Sequence, residues 1–134
     1  MTEMEVRNEI LKKFLSEFNG DFPIETDNKI LNKPATPATW VRINVKFNKE
    51  NQDSLGIIGN RRYKGLGLII IQVFTPINKG TNDNDTTANA CKVLLDGIRI
   101  GSLHIYNGGV RTIGSDGEYY QQNVNFEFQF ENIR

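Results

Sequence analysis

The sequence predicts one α+β domain spanning residues 1–134: a mostly antiparallel β-sheet with two helices on one face, in the order α-β-β-α-β-β-β. Three patterns predict it. Apolar residues recur at helical spacing over 4–18 and 88–98, alternate with polar ones over 40–47 and 124–130, and occupy both parities of 66–75. A chain of 134 residues, 38% hydrophobic and 24% charged, can bury one core and is too apolar for wholesale disorder.

Each element follows from its residues. Met4, Val6, Ile10, Leu11, Phe14, Leu15 and Phe18 form the apolar stripe of a first helix. Thr2 with Glu5 fits a capping box at its start, and Gly20 after Asn19 fits its stop. Residues 21–39, with Pro23, Pro34 and Pro37, read as extended and irregular. Over 40–47, Val41, Ile43, Val45 and Phe47 face one way, and Trp40, Arg42, Asn44 and Lys46 the other. Residues 48–65 are polar and punctuated by glycine, which predicts a long loop. The run 66–75 is apolar on both faces, as a central strand should be, and Pro76, Asn78 and Gly80 end it.

Asp83 and Asp85 then stand where a helix N-terminus favours negative charge. Ala88, Cys91, Leu94, Leu95 and Ile98 follow at helical spacing, and Asp96-Gly97 closes that second helix. Residues 98–106 and 110–113 read as strands joined by a hairpin at Asn107-Gly108-Gly109. A further turn at Asp116-Gly117 leads into the last strand, where Val124, Phe126, Phe128 and Phe130 alternate with polar residues.

Little in the sequence is arranged for catalysis. His104 is the only histidine and lies inside a predicted strand, and Cys91 is the only cysteine, so neither disulfide nor zinc cluster is expected. Gly56-Ile57-Ile58-Gly59 has the form of a KH loop but lies between two strands instead of two helices. Gly65-Leu66-Gly67 begins a dinucleotide-like pattern, but Ile70 replaces its third glycine and a strand follows. Asp83-Asn84-Asp85 starts like a calcium loop without the later glycine and glutamate. These readings predict no enzyme and no cofactor.

Sixteen basic residues balance sixteen acidic ones, which argues against a dedicated nucleic-acid binder. The charges are unevenly placed. Residues 29–64 hold eight Lys or Arg against Glu50 and Asp53, whereas 115–131 hold Asp116, Glu118, Glu127 and Glu131 with no base. One basic and one acidic region on a neutral chain suit head-to-tail self-association. The N-terminal stretch lacks the apolar core of a signal peptide, and 66–73 is too short to span a bilayer, so an intracellular, soluble protein without membrane partners is expected.

Four stretches in order carry a resemblance: the N-terminal helix, "WVRINVKF" after an extended segment, "SLG" followed by bases and "GLGLIIIQVFTPINKGT", and "VRTIGSDGEYYQQNVNFEFQF". Together they resemble the tail terminator (minor tail protein U-like) family of tailed bacteriophages over nearly the whole chain. The sequence departs from the family's pattern around residues 24–33, "IETDNKILNKP". The resemblance implies a structural protein that forms a ring, commonly a hexamer, at the head-proximal end of the virion tail. Such a ring is assembled in the host cytoplasm, caps the completed tail tube, stops its polymerisation and offers a surface to the head-completion or connector protein. DNA passes through its lumen unread. Two other readings are a different neck component, such as a head-completion or adaptor protein, and a single-stranded nucleic-acid binder using Trp40 and Tyr63 as stacking platforms.

For a ring subunit, the glycine-rich loop is the expected interface with a neighbour or the tube. Leu55, Ile57 and Ile58 would be wasted on solvent, and Gly56, Gly59 and Gly65 make the loop costly to order alone. The sequence therefore predicts a loop that is mobile in the free subunit and orders on docking. Arg61, Arg62 and Lys64 would then meet acidic groups, with Asp116 and Glu118 of the next subunit as candidates.

Overall fold

The computed structural model describes residues 1–18, 23–27 and 38–134. The predicted stop at Asn19-Gly20, most of the proline-bearing segment and residues 28–33 lie outside the described residues. Helix α1 (Glu3–Glu17) and helix α2 (Asn82–Leu95) accompany strands β1 (Ile24–Glu25), β2 (Trp40–Gln52), β3 (Arg62–Pro76), β4 (Arg99–Ile100), β5 (Leu103–Asp116) and β6 (Tyr119–Ile133). The strands form one sheet in the order β1-β2-β3-β6-β5-β4. All pairs are antiparallel except β1 with β2. This is the expected α+β fold, with the short β1 added. No helix among the described residues is long and apolar enough to cross a membrane.

Both helices cover the same face of the sheet. Val6, Ile10 and Phe14 of α1 and Ala88, Cys91 and Leu95 of α2 share a core with Val41, Ile43, Ile69, Ile71, Val73, Leu103, Ile105, Val124 and Phe126. The capping box forms as expected: the Thr2 hydroxyl accepts from the Glu5 amide, and the Glu5 carboxylate accepts from the Thr2 amide. Those bonds hold the Glu5 carboxyl below its ordinary value. Helix α2 is fixed by Asn84, whose buried amide donates to the carbonyls of Val73 and Tyr120 and to Thr75 Oγ1. It ends at Leu95, with Gly97 in the left-handed region, φ 76°.

Strand β3 is central, as its composition predicts. Its helix-facing residues are buried, while Leu66, Leu68, Ile70 and Phe74 on the other face are half-buried. Gly65 and Gly67 point toward the helix side opposite Phe130 and Phe128. A Cβ on Gly65 would lie 2.3 Å from the Phe130 ring, and one on Gly67 would lie 2.3 Å from both the Phe128 ring and the Lys46 carbonyl oxygen. Phe47 stands edge-on to both rings, 5.5 Å from Phe128 and 5.9 Å from Phe130. The glycines that resemble a dinucleotide loop are the floor on which these rings lie.

Two boundaries differ from expectation. The loop predicted over 48–65 shrinks to 53–61, because β2 and β3 continue pairing through Gln52 and Tyr63 while β6 runs on beside them. Neighbouring strands impose extension on residues with little β-propensity. The hairpin predicted at Asn107-Gly108-Gly109 is instead a bulge within continuous β5. Asn107 takes a positive φ of 54°, and Gly108 N donates to Asp96 Oδ1 at 2.9 Å. The reversal falls at Gly101-Ser102, between the paired Ile100 and Leu103. A bulge and a hairpin make the same demand for φ > 0, so turn chemistry alone does not separate them. Another irregularity interrupts β5 between Thr112 and Gly114, and one interrupts β2 between Phe47 and Lys49.

The glycine floor is testable by urea denaturation. Gly67→Ala meets backbone that cannot swing aside and should cost about 2–3 kcal/mol. Gly65→Ala meets only a ring and should cost about 1–2 kcal/mol. Gly109→Ala, which has nothing within 4 Å of the added carbon, should stay within about 0.5 kcal/mol of the parent.

Candidate functional site

The β2–β3 loop projects from one end of the sheet. Its base is closed by Asp53 N donating to Arg62 O and by Arg62 N donating to Ser54 Oγ, while Gln52 Nε2 donates to Ser54 O. At its apex Asn60 N donates to Ile57 O at 2.9 Å, with Gly59 at φ 93°. A positive φ at the third turn position is the requirement of a type II turn. A Cβ on Gly56 would lie 2.8 Å from Asn60 O, so that glycine admits the returning strand. In this posture Leu55 is 100%, Ile57 79% and Ile58 85% exposed.

Strand alternation divides the bases of the stem. Arg62 and Lys64 project from the face away from the helices, whereas Tyr63 lies on the helix side with Gly65. The Arg61 guanidinium lies 5.8 Å from the Tyr63 ring centroid, and that of Arg134 lies 3.9 Å from it. The acidic candidates lie elsewhere. Asp116 pairs with Tyr119 across the β5–β6 turn, and Glu118 O accepts from Ile77 N at 3.0 Å. Tyr119 also pairs with Pro76, whereas Arg62 pairs with Ile133. The basic loop and acidic turn therefore sit at opposite ends of β3, about 45 Å apart at the usual rise per residue.

An aromatic cluster lies near the acidic turn. Trp40 is stacked on Phe74, with ring centroids 4.1 Å apart, and Tyr119 stands edge-on to both. Arg42 lies over Trp40 and ties the cluster to Glu25 and Gln72 through hydrogen bonds. Trp40 is 1% exposed, so it has no open face for a nucleic-acid base. Tyr63 is half-buried, with the Arg134 guanidinium 3.9 Å from its ring centroid. Of the two stacking platforms of the nucleic-acid reading, Trp40 is thus closed by protein and Tyr63 is shared with Arg134.

His104 lines an open polar cleft of about 300 Å³ with Asp53, Lys64, Arg99, Gln129 and Glu131. Its ring lies 5.1 Å from that of Tyr106. Among the described residues, no three His, Cys, Asp or Glu side chains converge as a metal site would require. Cys91 is wholly buried on the core face of α2, and burial pushes its thiol up to about 12.

Sequence reasoning missed the contribution of Arg134. It extends the β3–β6 ladder by exchanging main-chain hydrogen bonds with Arg61, and its side chain reaches across Tyr63 to the Glu50 carboxylate. Nothing local signals a contact between residues 50, 63 and 134.

No protein-family model and no curated protein matches the chain. A solved structure matches its fold with a TM-score of 0.74, covering 100% of this chain and 99% of that one at 15% sequence identity. At that identity the likeness shows the fold alone.

The state of Cys91 gives a direct check. At pH 8 a thiol of this kind is about one ten-thousandth thiolate, so iodoacetamide should label the protein only after denaturant is added. The shift is upward from 9.0, so its contribution to stability is complete below pH 9 and is lost as pH climbs toward about 12. Rapid native labelling at pH 8 would contradict this burial.

Proposed function

We propose that this protein is a tail terminator of a tailed bacteriophage: a structural, ring-forming subunit that caps the finished tail tube, stops its polymerisation and presents the head-joining surface. The observation that carries the reading is the loop that holds Leu55, Ile57 and Ile58 in solvent beside basic residues, at the far end of the sheet from the acidic turn. Apolar side chains displayed in solvent gain stability only when a partner covers them. The opposed ends suit a heterologous contact in which the loop of one subunit meets the Asp116–Glu118 turn of the next. Such contacts close into a ring when the rotation between subunits divides a full turn.

Magnitudes decide when the ring forms. Burying three aliphatic side chains contributes about 5–9 kcal/mol, and joining two proteins costs about 4–15 kcal/mol in lost freedom and ordering. A single contact is therefore weak, and the free subunit associates reversibly. A template that engages several subunits at once supplies the missing stabilisation through effective concentration. This is the behaviour needed by a cap that must wait for a completed tube.

Arg61→Glu with Arg62→Glu should abolish ring formation and tube capping while shifting the thermal midpoint by about 2 °C or less. Normal capping by that variant at physiological salt would sink the proposed contact. At the level of the virus, removing the protein should give tubes of uncontrolled length or tails that fail to join heads. Normal infectious particles without it would eliminate the terminator reading.

A further inference from the structure

We infer that Arg134 is a latch: it holds the β2–β3 loop in the posture that presents Leu55, Ile57 and Ile58, and thereby controls the surface assigned above to assembly, a role in assembly that rests on that assignment. Three connections converge on this residue. Its amide donates to Arg61 O at 2.9 Å, and its carbonyl accepts from Arg61 N at 3.3 Å. Its guanidinium lies 3.9 Å from the Tyr63 ring centroid and forms an ion pair with Glu50. One residue at the end of β6 thus grips the last residue of the loop, the first turn of β3 and the outgoing end of β2. These are the points where the loop leaves and rejoins the sheet.

The ion pair has a second effect. Glu50 is a carboxylate at the loop's stem with only 13% of its side chain exposed. Arg61 lies beside the same tyrosine ring, and its Nε donates to the Arg134 main-chain oxygen at 3.3 Å. Arg134 therefore holds Arg61 by its side chain as well as by its main chain, and through it the returning end of the loop. Loss of the Arg134 side chain leaves a partly desolvated carboxylate without this cation and loosens that end of the loop. Arg134 is a positioning residue, acting through Tyr63, Glu50 and the loop main chain.

The test is residue-resolved amide exchange on the isolated protein, whose 15.2 kDa suits NMR. The amides of Asp53, Asn60, Arg61 and Arg62 report on the loop, since each donates within it or at its base. In Arg134→Ala they should exchange about tenfold faster, the combined worth of a cation–π contact and an exposed ion pair. Core amides of β3 and β6 and the thermal midpoint should change little. Arg134→Lys keeps an ion pair but lacks the planar stack, and should fall between the two. Unchanged exchange at those four amides in Arg134→Ala would overturn the latch, as would equal acceleration throughout the core. Faster loop exchange with tube capping intact would leave the latch standing and count against the loop as the assembly surface.

Discussion

Two positions without side chains determine how the centre of this sheet is built. Gly65 and Gly67 leave the helix-facing side of β3 bare where Phe130 and Phe128 lie across it, and Phe47 closes over both rings. Aromatic rings lying over cross-strand glycines restore the contacts that glycine removes from a strand. They also fix register, because a one-residue slip would bring side chains under the rings. The projecting end depends on this: β2, β3 and β6 stay paired through Gln52, Tyr63 and Asn132, and that ladder carries the loop.

The length of β3 separates Arg61, Arg62 and Lys64 at one end from the Asp116–Glu118 turn at the other. The basic end also holds acids of its own: Glu131 lies opposite Lys64, and Glu50 pairs with Arg134. The middle of the face away from the helices carries Leu66, Leu68 and Ile70, bordered by Lys49 and Gln129, by Lys46 and Glu127, and by Asn44 and Asn125 respectively.

What could be read from the sequence follows the range of the interactions. Period and capping are local, so α1, its Thr2–Glu5 box, α2 and the alternating cores of β2 and β6 were all visible. The burial of Cys91 followed from its helical phase. The apolar tip of the loop was legible because Leu55, Ile57 and Ile58 interrupt a polar stretch. The loop's true limits were not, since residues 48–52 and 62–65 become strand only through neighbours far along the chain. Asn107-Gly108 misled because a bulge and a hairpin make the same backbone demand, whereas Gly101-Ser102 carried the correct turn signal. Arg134 had no local signature, and its importance arises only when three strands end side by side.

The irregularities in β2 and β5 have a consequence for the two margins of the sheet. Beyond the two residues of β1 and the two of β4, no other strand among the described residues pairs with the outer sides of β2 and β5. Open edges of that length ordinarily invite amyloid-like stacking, but each is broken by a bulge that twists its hydrogen-bonding groups out of line. Both irregularities therefore weaken the margins of the sheet as straight templates for another strand.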